Sequence, residues 1–139
     1  MIPEKLVNLI ESQPGDIFRT DRAAAAAVLE SLGIDPDCEL SRFFLTYQIT
    51  IFRSNSSYEM LCDIDNDEIS AGTDFIHEVW ELPEKYICLT TCQGEGCYLY
   101  DKSTGKVLDF DLGERAQFLN GNIKIQWPGF FDFLTWYLG

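Results

Sequence analysis

The sequence predicts an α+β fold: a single domain over residues 1–139 in which an antiparallel β-meander is covered by helices. Three observations carry this expectation. Helix-period segments come first, three strand-like runs follow one another in the second half, and a strongly apolar helical segment closes the chain. With 139 residues, 46% of them hydrophobic and 14% aromatic, the chain has enough apolar surface for one core and is not of a disordered composition. No internal repeat and no linker-like stretch divides it.

Taken in order, Pro3 suits the first helical position, and Leu6, Val7, Leu9 and Ile10 form a short apolar face. "QPGD" at 13–16 breaks that helix. A second helix starts near Thr20 or Asp21, either able to cap it, runs through the alanines of 23–27 and stops at Gly33. Asp35-Pro36 supplies a cap and first-turn proline for a third. In it Leu40, Phe43, Phe44 and Tyr47 fall at the i, i+3, i+4, i+7 spacing of a buried face.

Beyond Tyr47 the texture changes. Ile49, Ile51 and the 58–64 segment read as extended, an acidic loop "DIDNDE" occupies 63–68, and Thr73 is expected to cap a short helix reaching Trp80. "KYICLTT", "CYLYD" and "KVLDFD" are rich in β-branched and aromatic residues and predict three successive strands. The "DKSTG" between the last two is a hairpin loop, with Gly105 able to take positive φ. "GNIKIQW" adds a short strand. Pro128 then opens a last helix, apolar nearly all round, which demands heavy burial.

The charge is lopsided: 23 acids against 10 lysines and arginines, a net of -13. That field repels phosphate backbones and attracts basic partners, so direct nucleic-acid binding is not expected. No apolar run approaches the ~20 residues of a membrane span, and "MIPEKLVNLIES" lacks the basic-then-apolar order of a signal peptide. A cytoplasmic protein with no membrane partner is expected. The five cysteines, an odd number without a secretion signal, predict reduced thiols, mostly small core residues.

The segment "CQGEGCYLYDKSTGKVLDFD" at 92–111 holds several fragments that mimic chemistry. Gly94-Glu95-Gly96 has Leu99 where a dinucleotide fingerprint needs its third glycine, and a strand follows rather than a helix. Gly105-Lys106 precedes Val107 where a phosphate loop needs Ser or Thr. Cys88, Cys92 and Cys97 are spaced C-x3-C and C-x4-C, unlike the usual zinc pairs. Strand alternation is expected to scatter them, so no metal or other cofactor is expected. Asp63, Asp65 and Asp67 resemble the start of a calcium loop, but Glu68 stands at the sharp-turn glycine position and Asp74 at the bidentate glutamate position. His77, the sole histidine, has no triad to join, and no Gly-x-Ser-x-Gly elbow exists. No catalytic residue is assigned, and the chain is not expected to be an enzyme.

"LESLGIDPDCELSRFFLTY" (29–47), "WELPEKYICLTTCQGEGCYLYDKSTGKVLDFDL" (80–112) and the closing "FFDFLTWYLG" (130–139) together resemble the SUKH superfamily, the Smi/Knr-like domains that include many bacterial immunity proteins. The resemblance runs from about Arg22 onward and is one of apolar patterning. It departs after Tyr47, where the family's asparagine-glycine pair gives way to "QITIFRSN". It implies a curved antiparallel sheet and a non-enzymatic role: binding and neutralising a cognate toxin, commonly a basic nuclease. The alternative, on the model of eukaryotic relatives, is an intracellular scaffold or regulator with an endogenous partner. The residues expected to face such a partner are Asp63, Asp65, Asp67 and Glu68 of the acidic loop, Glu81 and Glu84 before the meander, and Asp109, Asp111 and Glu114 after it. Tyr98 and Tyr100 share one face of their strand by alternation, either as aromatic anchors or as core. A monomer or weak dimer is expected, with Trp127 and Trp136 serving either a dimer contact or the core.

Overall fold

A computed structural model describes residues 1–92 and 94–139. Among these residues there are six helices: α1 (Glu4–Glu11), α2 (Arg22–Ser31), α3 (Glu39–Thr46), α4 (Glu68–Glu78), α5 (Arg115–Leu119) and α6 (Phe130–Leu138). Four strands, β1 (Tyr86–Cys88), β2 (Gly96–Asp101), β3 (Val107–Asp111) and β4 (Gln126–Trp127), form one curved open antiparallel sheet in sequence order. The α+β meander under helices is therefore present as predicted. None of these helices is long and apolar enough to cross a membrane.

Period-two alternation divides the sheet between two cores. Ile87, Leu89, Tyr98, Tyr100 and Val107 join the larger one, which they share with α1, α2, α3 and α6 through residues such as Leu6, Leu29, Phe43 and Phe133. Tyr86, Cys88, Cys97, Leu99, Leu108 and Phe110 point the other way, onto Ile76 of α4, Trp80, Leu82 and Phe118 of α5. Both faces of β2 are thus buried, which is why "CYLYD" carries no polar residue before Asp101. The turn after β2 closes on Asp101, whose carbonyl accepts from Gly105 N at 2.8 Å with Gly105 at φ +78. α6 is tied to α3 at its first turn, where Glu39 accepts from Phe131 N at 2.9 Å.

Several local expectations are corrected. α3 begins at Glu39, three residues past Pro36, because the Asp35 carboxylate closes a turn on Asp37 N (2.9 Å) and Ser41 Oγ donates back to Asp35 O (2.6 Å). Cys38 is the N-cap. The 49–64 region forms no strand beyond an antiparallel bridge between Leu61 and Thr90. Its serines occupy the backbone instead: Ser54 Oγ accepts from Ser56 N and Ser57 N, and Ser57 Oγ accepts from Glu59 N.

Thr73 caps nothing. α4 starts five residues earlier, at Glu68, and Thr73 is buried in its middle. The reason lies in β1, an edge strand whose outward backbone groups need partners. Thr73 Oγ1 accepts from Cys88 N at 3.0 Å, and His77 Nε2 meets Tyr86 O at 2.8 Å. Residues at i and i+4 of one helix face thereby cover the edge of the sheet. Replacing His77 by Ala is expected to leave that carbonyl unpaired and lower stability by about 1–2 kcal/mol. Urea unfolding measures the loss, and hydrogen exchange should show it concentrated in β1.

The expected scattering of the cysteines is also overturned. Cys88 pairs in register with Leu99, and Cys97 lies two residues along β2 from Leu99. Cross-strand partners share a face and so do residues two apart, so Cys88 and Cys97 both point into the smaller core.

Candidate functional site

β3 runs apolar at its start and acidic at its end. Val107 is buried, whereas Asp109 and Asp111, on the same face by alternation, are exposed. The β2–β3 register sets Gly96 opposite Asp111 and Tyr98 opposite Asp109, and Glu95 O accepts from Leu112 N at 2.7 Å. A 3₁₀ turn, Leu112–Glu114, follows at once, its start fixed by Asp111 Oδ1 accepting from Gly113 N at 2.8 Å. These constraints gather Glu95, Asp109, Asp111 and Glu114 around one cleft of about 520 Å³, joined by Glu59 from the serine-rich loop. Its apolar lining includes Cys97, Phe110 and Phe118.

Among the described residues, five carboxylates thus line the cleft with a single cation, Lys124, which pairs with Glu114 at 2.9 Å. That pair is well exposed, so it contributes at most about 1 kcal/mol and yields readily to competition. Partial desolvation and the neighbouring Asp111 and Glu114 push the Asp109 carboxyl up from its ordinary range. Desolvation, then Asp109, does the same to Glu59. A carboxyl whose folded pKa is raised favours the protonated native state, so this crowding costs stability once the pH exceeds the raised values. Asp109→Asn is accordingly expected to raise stability at pH 7 by about 0.5 kcal/mol, with no gain at pH values low enough to protonate the aspartate. Thermal unfolding at the two pH values checks this.

The cleft fits the side chain of a lysine or arginine. Its aliphatic stem would lie against Ile123 and Ile125, the apolar lining residues that keep exposed surface, while its charged head reaches the carboxylates. The second concavity, about 630 Å³ beside Leu29, Ile34 and Leu45, is mostly apolar, and Lys102 at its side donates to Leu32 O at 2.9 Å.

Of the residues expected to face a partner, Asp109, Asp111 and Glu114 meet in the cleft. Asp65 and Asp67 are exposed on the loop leading into α4, Glu68 is exposed at its first position, and Glu81 and Glu84 are exposed before β1, but none of the five lines the cleft. Arg115 holds that second segment by its backbone, donating to Trp80 O and Glu81 O, and leaves the carboxylates free of it. The placement of Asp63 is a correction, whereas the tyrosines and Trp127 take the core alternative of the two the sequence leaves open. Asp63 is buried in a bidentate ion pair with Arg19, Oδ1 to Nη2 at 2.7 Å and Oδ2 to Nη1 at 2.8 Å. Tyr98 and Tyr100, at 6% and 3% exposure, belong to the larger core, where the Tyr98 hydroxyl meets Ser57 Oγ at 2.8 Å. Trp127 packs on that same core, with Trp136 stacked near it at 4.8 Å and only partly exposed.

No known sequence family matches the chain, and no curated protein matches it.

Glu59 and Glu95 were missed. Glu95 was within reach of the sequence: counting outward from the "DKSTG" turn pairs Gly96 with Asp111 and sets Glu95 beside Leu112. Glu59 had no such signal, since its position rests on serine turns and on the distant Leu61–Thr90 bridge.

Proposed function

We propose that this chain is a non-enzymatic protein-binding domain, an immunity-type protein of the SUKH kind that neutralises a basic toxin, a nuclease foremost. The observation that carries the reading is the cleft that gathers five carboxylates with, among the described residues, one exposed lysine for counter-charge. Nucleases present basic clefts to phosphate, so an acidic surface can occupy the same place and is steered to it by long-range attraction. The net charge of -13 adds to that steering. The chain's sole histidine, which any acid–base scheme would first enlist, is committed to the backbone of β1. The resemblance of 29–47, 80–112 and 130–139 to SUKH domains supports the same conclusion.

The test is coexpression with the product of the adjoining gene. Copurification as a salt-sensitive complex and restored growth of cells making that product are the expected results. Absence of both would overturn the reading.

A further inference from the structure

The cysteines that share the smaller core do more than fill space. Cys88 ends β1, Cys97 is the second residue of β2, and the intervening chain brings Cys92 back onto them. The three sulfur atoms lie within 4.8 Å of one another, and Cys88 Sγ is 3.1 Å from Cys92 Sγ. Three thiolates around one metal, at metal–sulfur distances of about 2.3 Å, stand about 4 Å apart, so this spacing admits an ion at their centre.

We propose that Cys88, Cys92 and Cys97 form a trigonal thiolate site for one soft metal ion of the Cu(I) class. Three features select this class. The donor set is sulfur alone, which suits soft ions. Among the described residues no fourth ligating side chain joins the group, whereas a structural zinc site takes four. The surroundings are apolar, with Cys88 and Cys97 at 0% and 1% exposure, while half-buried Cys92 leaves a way in.

The cradle is completed by α4. Gly72 passes so close that a Cβ there would sit 3.5 Å from Cys88 Sγ and 3.7 Å from Cys92 Sγ. A long side chain at this position would fill the space over the sulfurs. Cys88 Sγ also contacts Thr90 O at 3.0 Å, which orients it toward the cluster. On metal entry each ligating thiol gives up its proton to solvent and no electron is transferred.

Fully reduced protein, kept anaerobic, is titrated with Cu(I) held by the chromogenic chelator bicinchoninate. The expected result is withdrawal of one equivalent, with near-ultraviolet thiolate-to-copper absorption and an X-ray absorption spectrum of three sulfur neighbours. Cys92→Ser, in a half-buried loop position, should weaken retention about a hundredfold or more, whereas Cys38→Ser, at the N-cap of α3, should leave it unchanged. Circular dichroism checks that both variants fold, and the spectrum of the unaltered protein tests the site without any variant. Failure of the unaltered protein to compete with the chelator would overturn the proposal, as would equal retention by Cys92→Ser. So would a nitrogen or oxygen neighbour at the metal, or a Cys88–Cys92 disulfide that forms in place of metal binding.

Discussion

Asp63→Ala is expected to lower stability by about 3–5 kcal/mol, the cost of leaving a buried guanidinium without its counter-charge. The Arg19 and Asp63 side chains retain only 3% and 10% of their surface, so water cannot replace the lost partner. The aspartate also does more than balance charge. Its Oδ1 accepts from Ile49 N at 3.0 Å and its Oδ2 from Asp65 N at 3.3 Å, pinning the chain on both sides of the 50–62 excursion. Arg19 in turn donates to Phe44 O and Tyr47 O at the end of α3, where helix carbonyls have no internal acceptor role to fill. One ion pair therefore fastens the end of α3, the entry to the long loop and the exit toward α4. Chemical unfolding of Asp63→Ala measures the loss, and Asp63→Asn separates its parts: it keeps the shape and some hydrogen bonds while removing the charge. An Asp63→Ala protein as stable as the parent would refute this account of the junction.

The same pair sets the acid limit. Burial disfavours the Asp63 carboxylate, but the bonds from Arg19 and the amide of Ile49 outweigh it and hold its pKa below the ordinary value. Burial opposes and Ser103 and Lys85 favour the ionised Asp101, with the same net direction. Since both folded pKa values are depressed, the stabilisation they confer is complete above their unfolded values near pH 4 and is lost as the pH falls further. Asp109 and Glu59 act oppositely: their raised values make the fold less stable as the pH climbs past them. Two functional classes of carboxylate are thus separable by sign, one that holds the fold and one that is held against repulsion.

The legibility of this molecule follows the range of the interactions. The strands were readable because burial on a pleated surface writes itself into alternating residues, and a five-residue turn fixes register for everything that follows. α2 was readable for a similar reason, since Asp21 caps it through Ala24 N a single turn away. Asp63 was not, because its determinant is Arg19, 44 positions earlier, and the run "DIDNDE" gives no local mark that its first acid is buried. Thr73 misled because a threonine is equally suited to capping a helix and to satisfying a neighbouring strand edge from a helix interior. The cysteines are not legible from alternation alone, because cross-strand pairing turns two separate positions into neighbours. Three of the five cleft acids, Asp109, Asp111 and Glu114, were legible as a group because they lie on one hairpin arm and its continuation.

Reversing the charge of that arm carries the largest expected effect on binding. Asp109→Lys with Asp111→Lys should weaken capture of the basic partner by roughly 2–5 kcal/mol, about thirtyfold or more, and slow association most at low salt. Unfolding contributes little, because both side chains are exposed, Asp109 is already opposed by its neighbours, and the one bond lost with Asp111, from Gly113 N, is an exposed one. The matched control is Glu81→Lys with Glu84→Lys, the same change in net charge on an exposed segment away from the cleft. If overall charge alone steers the encounter, both pairs should slow association alike; if the cleft receives a basic side chain, only the first pair should hasten dissociation. Acidification gives an independent reading of the same surface. A bound cation favours the ionised carboxylates, so affinity should fall as the pH drops through the raised values of Asp109 and Glu59. Growth protection that survives the first pair and fails with the second would move the binding face from the cleft to the segment before β1.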